Sequence, residues 1–256
     1  PTSGVTVSIS VNSQVSVDTS SLSFTTGNWN SPQTVTVTAV NDSVAEGNHT
    51  GTITHSSTSS DSNYNALSIT SITASITDND TAAVSITQTG GSTIVTEAGT
   101  TDTYSLILTS QPTADVTVTL NPGAQLTSNV SSLTFTSSNW NVAQVATLTA
   151  VNDSVAEGNH SATVTHSSTS SDTRYNGLTI SNLTVSITDN DSAGVSIAQS
   201  SGSTVLSPST IDTYTVVLTS QPTADVMVAM NETSLVTSAP GFVTFTTGNW
   251  NTPQTF

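Results

Sequence analysis

The sequence predicts an all-β protein, a tandem array of antiparallel β-sandwich modules, and three observations carry that prediction. Apolar residues alternate with Thr and Ser, as in "TVTL" at 117–120 and "VSI" at 185–187, which is the period of a strand with one buried face. No run with helical period competes with it. The third observation is a repeat. "NWN" occurs around Trp29, Trp140 and Trp250, spaced 111 and 110 residues apart, and the same offset carries "SITDND" from 75–80 to 186–191. "LTSQPTADV" likewise recurs at 108–116 and 218–226. A period of about 110 residues is the size of one small sandwich.

The middle copy is the complete one. Its strands, lettered A to G, are expected near 83–89, 103–109, 115–120, 132–136, 144–151, 161–167 and 180–188. The turn clusters "TGGS", "SQPTAD", "NPGAQ", "SSNWN", "NDSVAEGNH" and "SSDTRYNG" separate them. Seven short antiparallel strands point to an immunoglobulin-like sandwich. The expected division is 1–80, a partial repeat lacking strands A and B; 81–191, complete; and 192–256, a partial repeat ending within strand E. Pro1 aligns with Pro112 and Pro222, and Phe256 with Val145 and Val35. The expectation is therefore a window on a longer chain, with mutual completion of neighbouring molecules as the rival. Each tryptophan, in the D–E turn, is expected to plug the end of its own core, and Tyr64 and Tyr175 to pack the F–G loops.

Composition narrows the function. The chain of 256 residues is 34% hydrophobic and 7% charged, with 17 Asp and Glu against one basic residue, Arg174, for a net charge of −16. A chain without lysine cannot neutralise phosphates, so nucleic acid and anionic membranes are poor partners. No cysteine is present, which excludes disulfides and thiolate metal sites. No stretch approaches the roughly 20 apolar residues of a membrane span.

If the strands run up and down in turn, the A–B, C–D and E–F connections and the tail of strand G share one end of the module. Glu97 in the A–B segment, Asp153 and Glu157 in the E–F loop, and Asp189 and Asp191 after strand G then meet. Carboxylates about 6 Å apart repel by roughly 0.7 kcal/mol per pair even at the dielectric constant of water. The chain has no lysine to oppose them, whereas calcium accepts six to eight oxygens in flexible geometry. The E–F stretch "AVNDSVAEGNH" is identical at 39–49 and 150–160. Plain turn chemistry is the competing explanation of that loop, and a solvated linker that of "DND". Turn chemistry does not require Glu157, a weak turn former, to recur as Glu46.

At these residues, "VTEAG", "AVNDSVAEGNH" and "VSITDND", the sequence resembles the Calx-β repeat of sodium–calcium exchangers and of large bacterial surface proteins. The resemblance implies a Calx-β-like immunoglobulin sandwich with Ca2+ bound at the end that carries the E–F loop. It points to Glu97, Asp153, Glu157, Asp189 and Asp191, and in the first copy to Asp42, Glu46, Asp78 and Asp80. The sequence departs from the family at the C–D position, where Asn129 replaces an acid, and in the terminal run, broken by Asn79 and Asn190. In the third copy Ser207, Pro208 and Ser209 replace Glu97.

Other chemistry is weaker. His49, His55, His160 and His166 recur in step and read as solvated surface rather than a zinc site, and no G-x-S-x-G elbow suggests an enzyme. The expected function is a structural and adhesive segment of an extracellular or cell-surface repeat protein, stiffened by calcium at module ends. Its partners are neighbouring modules, identical chains in a filament, or a cell-surface or glycan target. The alternatives are a self-assembling filament or surface-layer subunit, and a carbohydrate-binding accessory module. Asp115 and Asp225, opening strand C, face the preceding junction and offer it an oxygen.

Overall fold

The computed structural model describes residues 1–207, 210–233 and 236–256. Among these residues there is no α-helix; one 3-10 turn, Thr89–Gly91, is the only helical element. The first segment holds strands β1 (Val5–Val11), β2 (Val15–Val17), β3 (Ser21–Phe24), β4 (Val37–Ala39), β5 (His49–Ser59) and β6 (Ile72–Ile76). The middle segment holds β7 (Val84–Gln88), β8 (Thr93–Thr96), β9 (Asp102–Leu108), β10 (Val116–Asn121), β11 (Leu126–Ser128), β12 (Ser132–Phe135), β13 (Gln144–Ala150), β14 (His160–Ser170) and β15 (Leu183–Thr188). The third holds β16 (Val195–Gln199), β17 (Tyr214–Leu218), β18 (Val226–Ala229), β19 (Phe242–Phe245) and β20 (Gln254–Thr255).

The middle segment is a two-sheet immunoglobulin-like sandwich. One sheet has the order β12-β10-β14-β15-β8 and the other β11-β13-β9-β7. Side chains alternate in and out along each strand, so Leu183, Val185 and Ile187 of β15 and Val116, Val118 and Leu120 of β10 are buried. Tyr104, Leu106 and Leu108 of β9 meet them from the opposite sheet in one continuous core. Among the described residues the buried apolar side chains form three clusters, one in each segment.

Two features differ from the expected strands. The first strand divides: β7 pairs with β9, whereas β8 crosses to the other sheet and lies parallel to β15. Gly90 and Gly91, with φ of 67° and 84°, make the break, a conformation that costs glycine little. A short additional strand, β11, lies on the edge of β13.

The first segment repeats this plan as β3-β1-β5-β6 facing β2-β4, without counterparts of β7 to β9. Trp140 and Trp250 pack against the cores of their own segments as expected. Trp29 is 58% exposed. The difference follows from strand β9, whose Leu108 N–H bonds the Trp140 carbonyl, as Leu218 of β17 does for Trp250. Without such a strand Trp29 lines an open cavity of about 220 Å³ with Val5, Phe24, Tyr64 and Leu67.

Candidate metal centre

Strand register builds the centre. On β8, Thr93 and Val95 are buried, and the next inward position is Glu97, 2% exposed. On β15 the inward series Leu183, Val185, Ile187 continues to Asp189 and Asp191. Thr96 is paired with Thr188, and the Glu97 N–H donates to the Thr188 carbonyl at 3.1 Å. The two strands therefore deliver their acids side by side, where the core ends. Ala98, with φ of 49°, turns the chain away immediately after Glu97.

The E–F loop closes the site from β14, whose first residue, His160, is paired with Ile187. Asp153 Oδ1 accepts the Val155 N–H at 2.7 Å, and Asp189 Oδ2 accepts the Gly158 N–H at 2.6 Å. Asp189 Oδ1 accepts the Asp191 N–H at 2.8 Å, and Gln125 Nε2 donates to both oxygens of Glu157 at 2.9 and 3.1 Å. All five acids expected in the middle copy gather here. Burial raises the Glu97 pKa above the ordinary glutamate value, and Asp153, Asp189, Glu157 and Asp191 raise it further. The Asp191 N–H, joined by those of Gly158 and Glu157 and by His160, holds Asp189 below the aspartate value despite the opposing effect of burial.

Two oxygens of the cluster are left unsatisfied. Glu97 Oε2 and Asp191 Oδ2 are buried without a hydrogen-bond partner. Buried carboxylate oxygens without partners are costly. The single cationic side chain, Arg174, bonds elsewhere, to the backbone carbonyl of Glu46. Glu97, Asp189 and Asp191 each offer an oxygen within 4.8 Å of the others. Opposite ligands of a calcium ion stand about 4.6–5.2 Å apart. The residues thus fit a hard divalent cation.

In the first segment Asp42, Glu46, Asp78 and Asp80 line a cavity of about 180 Å³. Its frame is the same: Asp42 Oδ1 takes the Val44 N–H at 2.8 Å, Asp78 Oδ2 that of Gly47 at 2.6 Å, and Asp78 Oδ1 that of Asp80 at 2.9 Å. It has no counterpart of Glu97. Among the described residues, three-ligand groupings occur only around Glu97. Of the residues expected to replace it in the third copy, Pro208 and Ser209 lie outside the described residues.

His160, expected as solvated surface, lies beside the acids: its side chain is 23% exposed and its Nε2 stands 3.5 Å from Glu157 Oε2. The signal was legible, since His160 is in step with Ala162, Val164 and Ser168 on the inward face of β14. His166 is on the same face, half-buried, its Nε2 3.1 Å from the Tyr104 hydroxyl. Asp225 lines a crevice of about 510 Å³ with Val155 and Ala156 of the preceding segment. It joins no metal grouping among the described residues, nor does Asp115.

The loop that frames the site also touches the next segment. The Ser154 carbonyl, between Asp153 and Glu157, accepts the backbone N–H of Gln221 at 2.6 Å, and Ser43 accepts that of Gln111 at 2.6 Å.

No family model matches this chain. No curated protein matches it either. Among solved structures it is similar to a protein of unknown function from Porphyromonas gingivalis W83, with 14% identity over 73% of this chain and 85% of that one and a TM-score of 0.26. Domains 4–9 of the surface layer protein SbsC share 14% identity over 89% of this chain and 39% of that one, with a TM-score of 0.30. Dimeric latent PorU from Porphyromonas gingivalis shares 13% over 99% and 26%, with a TM-score of 0.21. Likeness this slight assigns no function.

Proposed function

We propose that the chain is a structural segment of an extracellular repeat protein in which calcium at the module end stiffens the junction to the next module. The Calx-β resemblance is part of this reading. The observation that carries it is the position of Ser154. Its carbonyl holds Gln221 of the following segment, while its neighbours Asp153 and Glu157 face Glu97 across the site. A loop ordered by an ion on one side is a firmer anchor on the other. Glu97, Asp189 and Asp191, with Asp153 and Glu157, would hold the ion, which supplies the positive charge that the chain lacks.

Thermal unfolding in chelator and in millimolar calcium tests the binding. Saturation at one hundred times the dissociation constant adds about 2.7 kcal/mol, so the midpoint rises by several degrees. Small-angle scattering tests the stiffening: the maximum dimension increases with calcium while strand content stays constant. Unchanged midpoints overturn the reading. Glu157→Gln weakens the calcium response and Glu232→Gln, outside the cluster, leaves it intact.

A further inference from the structure

The candidate centre contains a nitrogen that calcium does not explain. His160 Nδ1 lies 2.9 Å from the Gly158 carbonyl. A carbonyl only accepts, so Nδ1 carries a proton, and in the neutral ring Nε2 bears a lone pair. That Nε2 is buried and has no hydrogen-bond partner. Glu157 Oε2, another acceptor, lies 3.5 Å from it. Glu97, 2% exposed, likewise has an unpartnered buried Oε2. Glu97, Glu157 and His160 each offer one ligand atom within 4.8 Å of the others.

Calcium takes oxygen ligands. Imidazole suits zinc and its neighbours, and a metal-bound histidine characteristically donates its other ring N–H to a backbone carbonyl or carboxylate. The His160–Gly158 bond is that second contact, made in advance. Zinc ligands lie about 2.0–2.2 Å from the ion and so about 3.3–3.6 Å from one another in a tetrahedron; ligand atoms within 4.8 Å have to draw together by up to about 1.5 Å. Glu157, 30% exposed, has room to do so.

We propose that His160, Glu157 and Glu97 form a binding site for a divalent transition-metal ion of the zinc class, distinct from the oxygen-only group of Glu97, Asp189 and Asp191. The site goes beyond the calcium reading: it shares Glu97 and Glu157 with it and adds the nitrogen of His160. The first segment supplies an internal comparison. His49 Nδ1 makes the same contact, 2.8 Å from the Gly47 carbonyl, but its Nε2 lies 3.1 Å from Gln14 Oε1 and no residue corresponds to Glu97. The expected stoichiometry is therefore one zinc-class ion per chain.

The test titrates the intact chain with Zn2+ in saturating calcium and follows the four histidines by long-range proton–nitrogen NMR. One equivalent shifts Nε2 of His160 to a metal-bound value and leaves those of His49, His55 and His166 in place. Co2+ as a probe gives visible absorption bands at the same stoichiometry. His160→Gln weakens zinc binding at least about tenfold to a hundredfold and keeps the calcium-induced rise in melting midpoint. No shift of His160 Nε2 in the unaltered protein at a tenfold excess of Zn2+ overturns the proposal, and leaves a protonated imidazole facing Glu157 as the explanation. Equal zinc binding by the His160→Gln chain, or loss of the calcium response in it, also overturns the separate site. A zinc response at His160 without any calcium response supports this site and refutes the calcium reading.

Discussion

Glu97 donates its backbone N–H to the Thr188 carbonyl at 3.1 Å, and this bond carries the parallel pairing of β8 and β15 one residue past the end of both strands. Asp189 follows directly, so two acids from positions far apart in the chain stand together at the mouth of the core. That closeness is unfavourable without a cation. Glu97→Gln removes one charge from the group, and in chelator at neutral pH the variant should be more stable than the parent by about 1 kcal/mol. A melting midpoint a few degrees higher, together with a smaller response to calcium, is the expected pair of results. A lower midpoint in chelator would show that the Glu97 carboxylate is not repelled.

The pH dependence of the same residue has a definite sign. The Glu97 pKa is raised in the folded state from an ordinary 4.5. Its contribution to stability is complete below that value and is lost as pH rises through the raised one. The difference in unfolding free energy between parent and Glu97→Gln, measured in chelator from pH 4 to 8, should therefore move against the parent as pH increases. A flat difference would contradict the burial of the charge.

His166 has the opposite sign. Its Nδ1 faces the Ser181 carbonyl at 3.2 Å and its Nε2 the Tyr104 hydroxyl at 3.1 Å, with the rings 5.7 Å apart edge to face. Burial lowers its pKa below the ordinary 6.5, against a smaller upward effect of the Ser181 carbonyl. Stability from the neutral ring is complete above 6.5 and is lost as pH falls through the lowered value. Urea midpoints at pH 7.5 and 5.5 should separate more in the parent than in His166→Gln. Equal separations would mean that the ring titrates as freely as in the unfolded chain.

Tyr175 closes the opposite end of the core. Its hydroxyl donates to the Ser110 carbonyl at 2.7 Å and accepts from the Ser110 N–H at 3.1 Å, and the Ser110 hydroxyl lies 2.7 Å away. Tyr175→Phe leaves buried polar groups of Ser110 without partners, and should destabilise the middle segment by roughly 2–3 kcal/mol. Denaturant unfolding measures it; a cost below about 0.5 kcal/mol would mean that water replaces the hydroxyl.

At the first junction Arg174 reaches across to the Glu46 carbonyl, beside the bond from Gln111 to Ser43. Arg174→Ala should loosen the first junction and leave the second unchanged, at a cost of about 1 kcal/mol. Residual dipolar couplings, segment by segment, would detect independent alignment of residues 1–80 after the substitution. Unaltered couplings would show that the Ser43–Gln111 bond suffices.

The sequence by itself determined the strand period, the repeat and the chemistry of one module end. Each is local: alternation of Val, Ile and Thr appears within five residues, and an identical E–F loop needs no three-dimensional context. It also contained the alternation Thr93, Val95, Glu97, which places the acid on the inward face. Only the tertiary structure decided that β8 leaves the sheet of β7 and pairs with β15, because that contact joins Thr96 to Thr188 and leaves no short-range signature. The burial of Glu97, the placement of His160 beside the acids and the bond from Ser154 to Gln221 depend on such long-range pairings. The partial exposure of Trp29 has the same origin, since a tryptophan is buried by the strand that crosses it and not by its own turn.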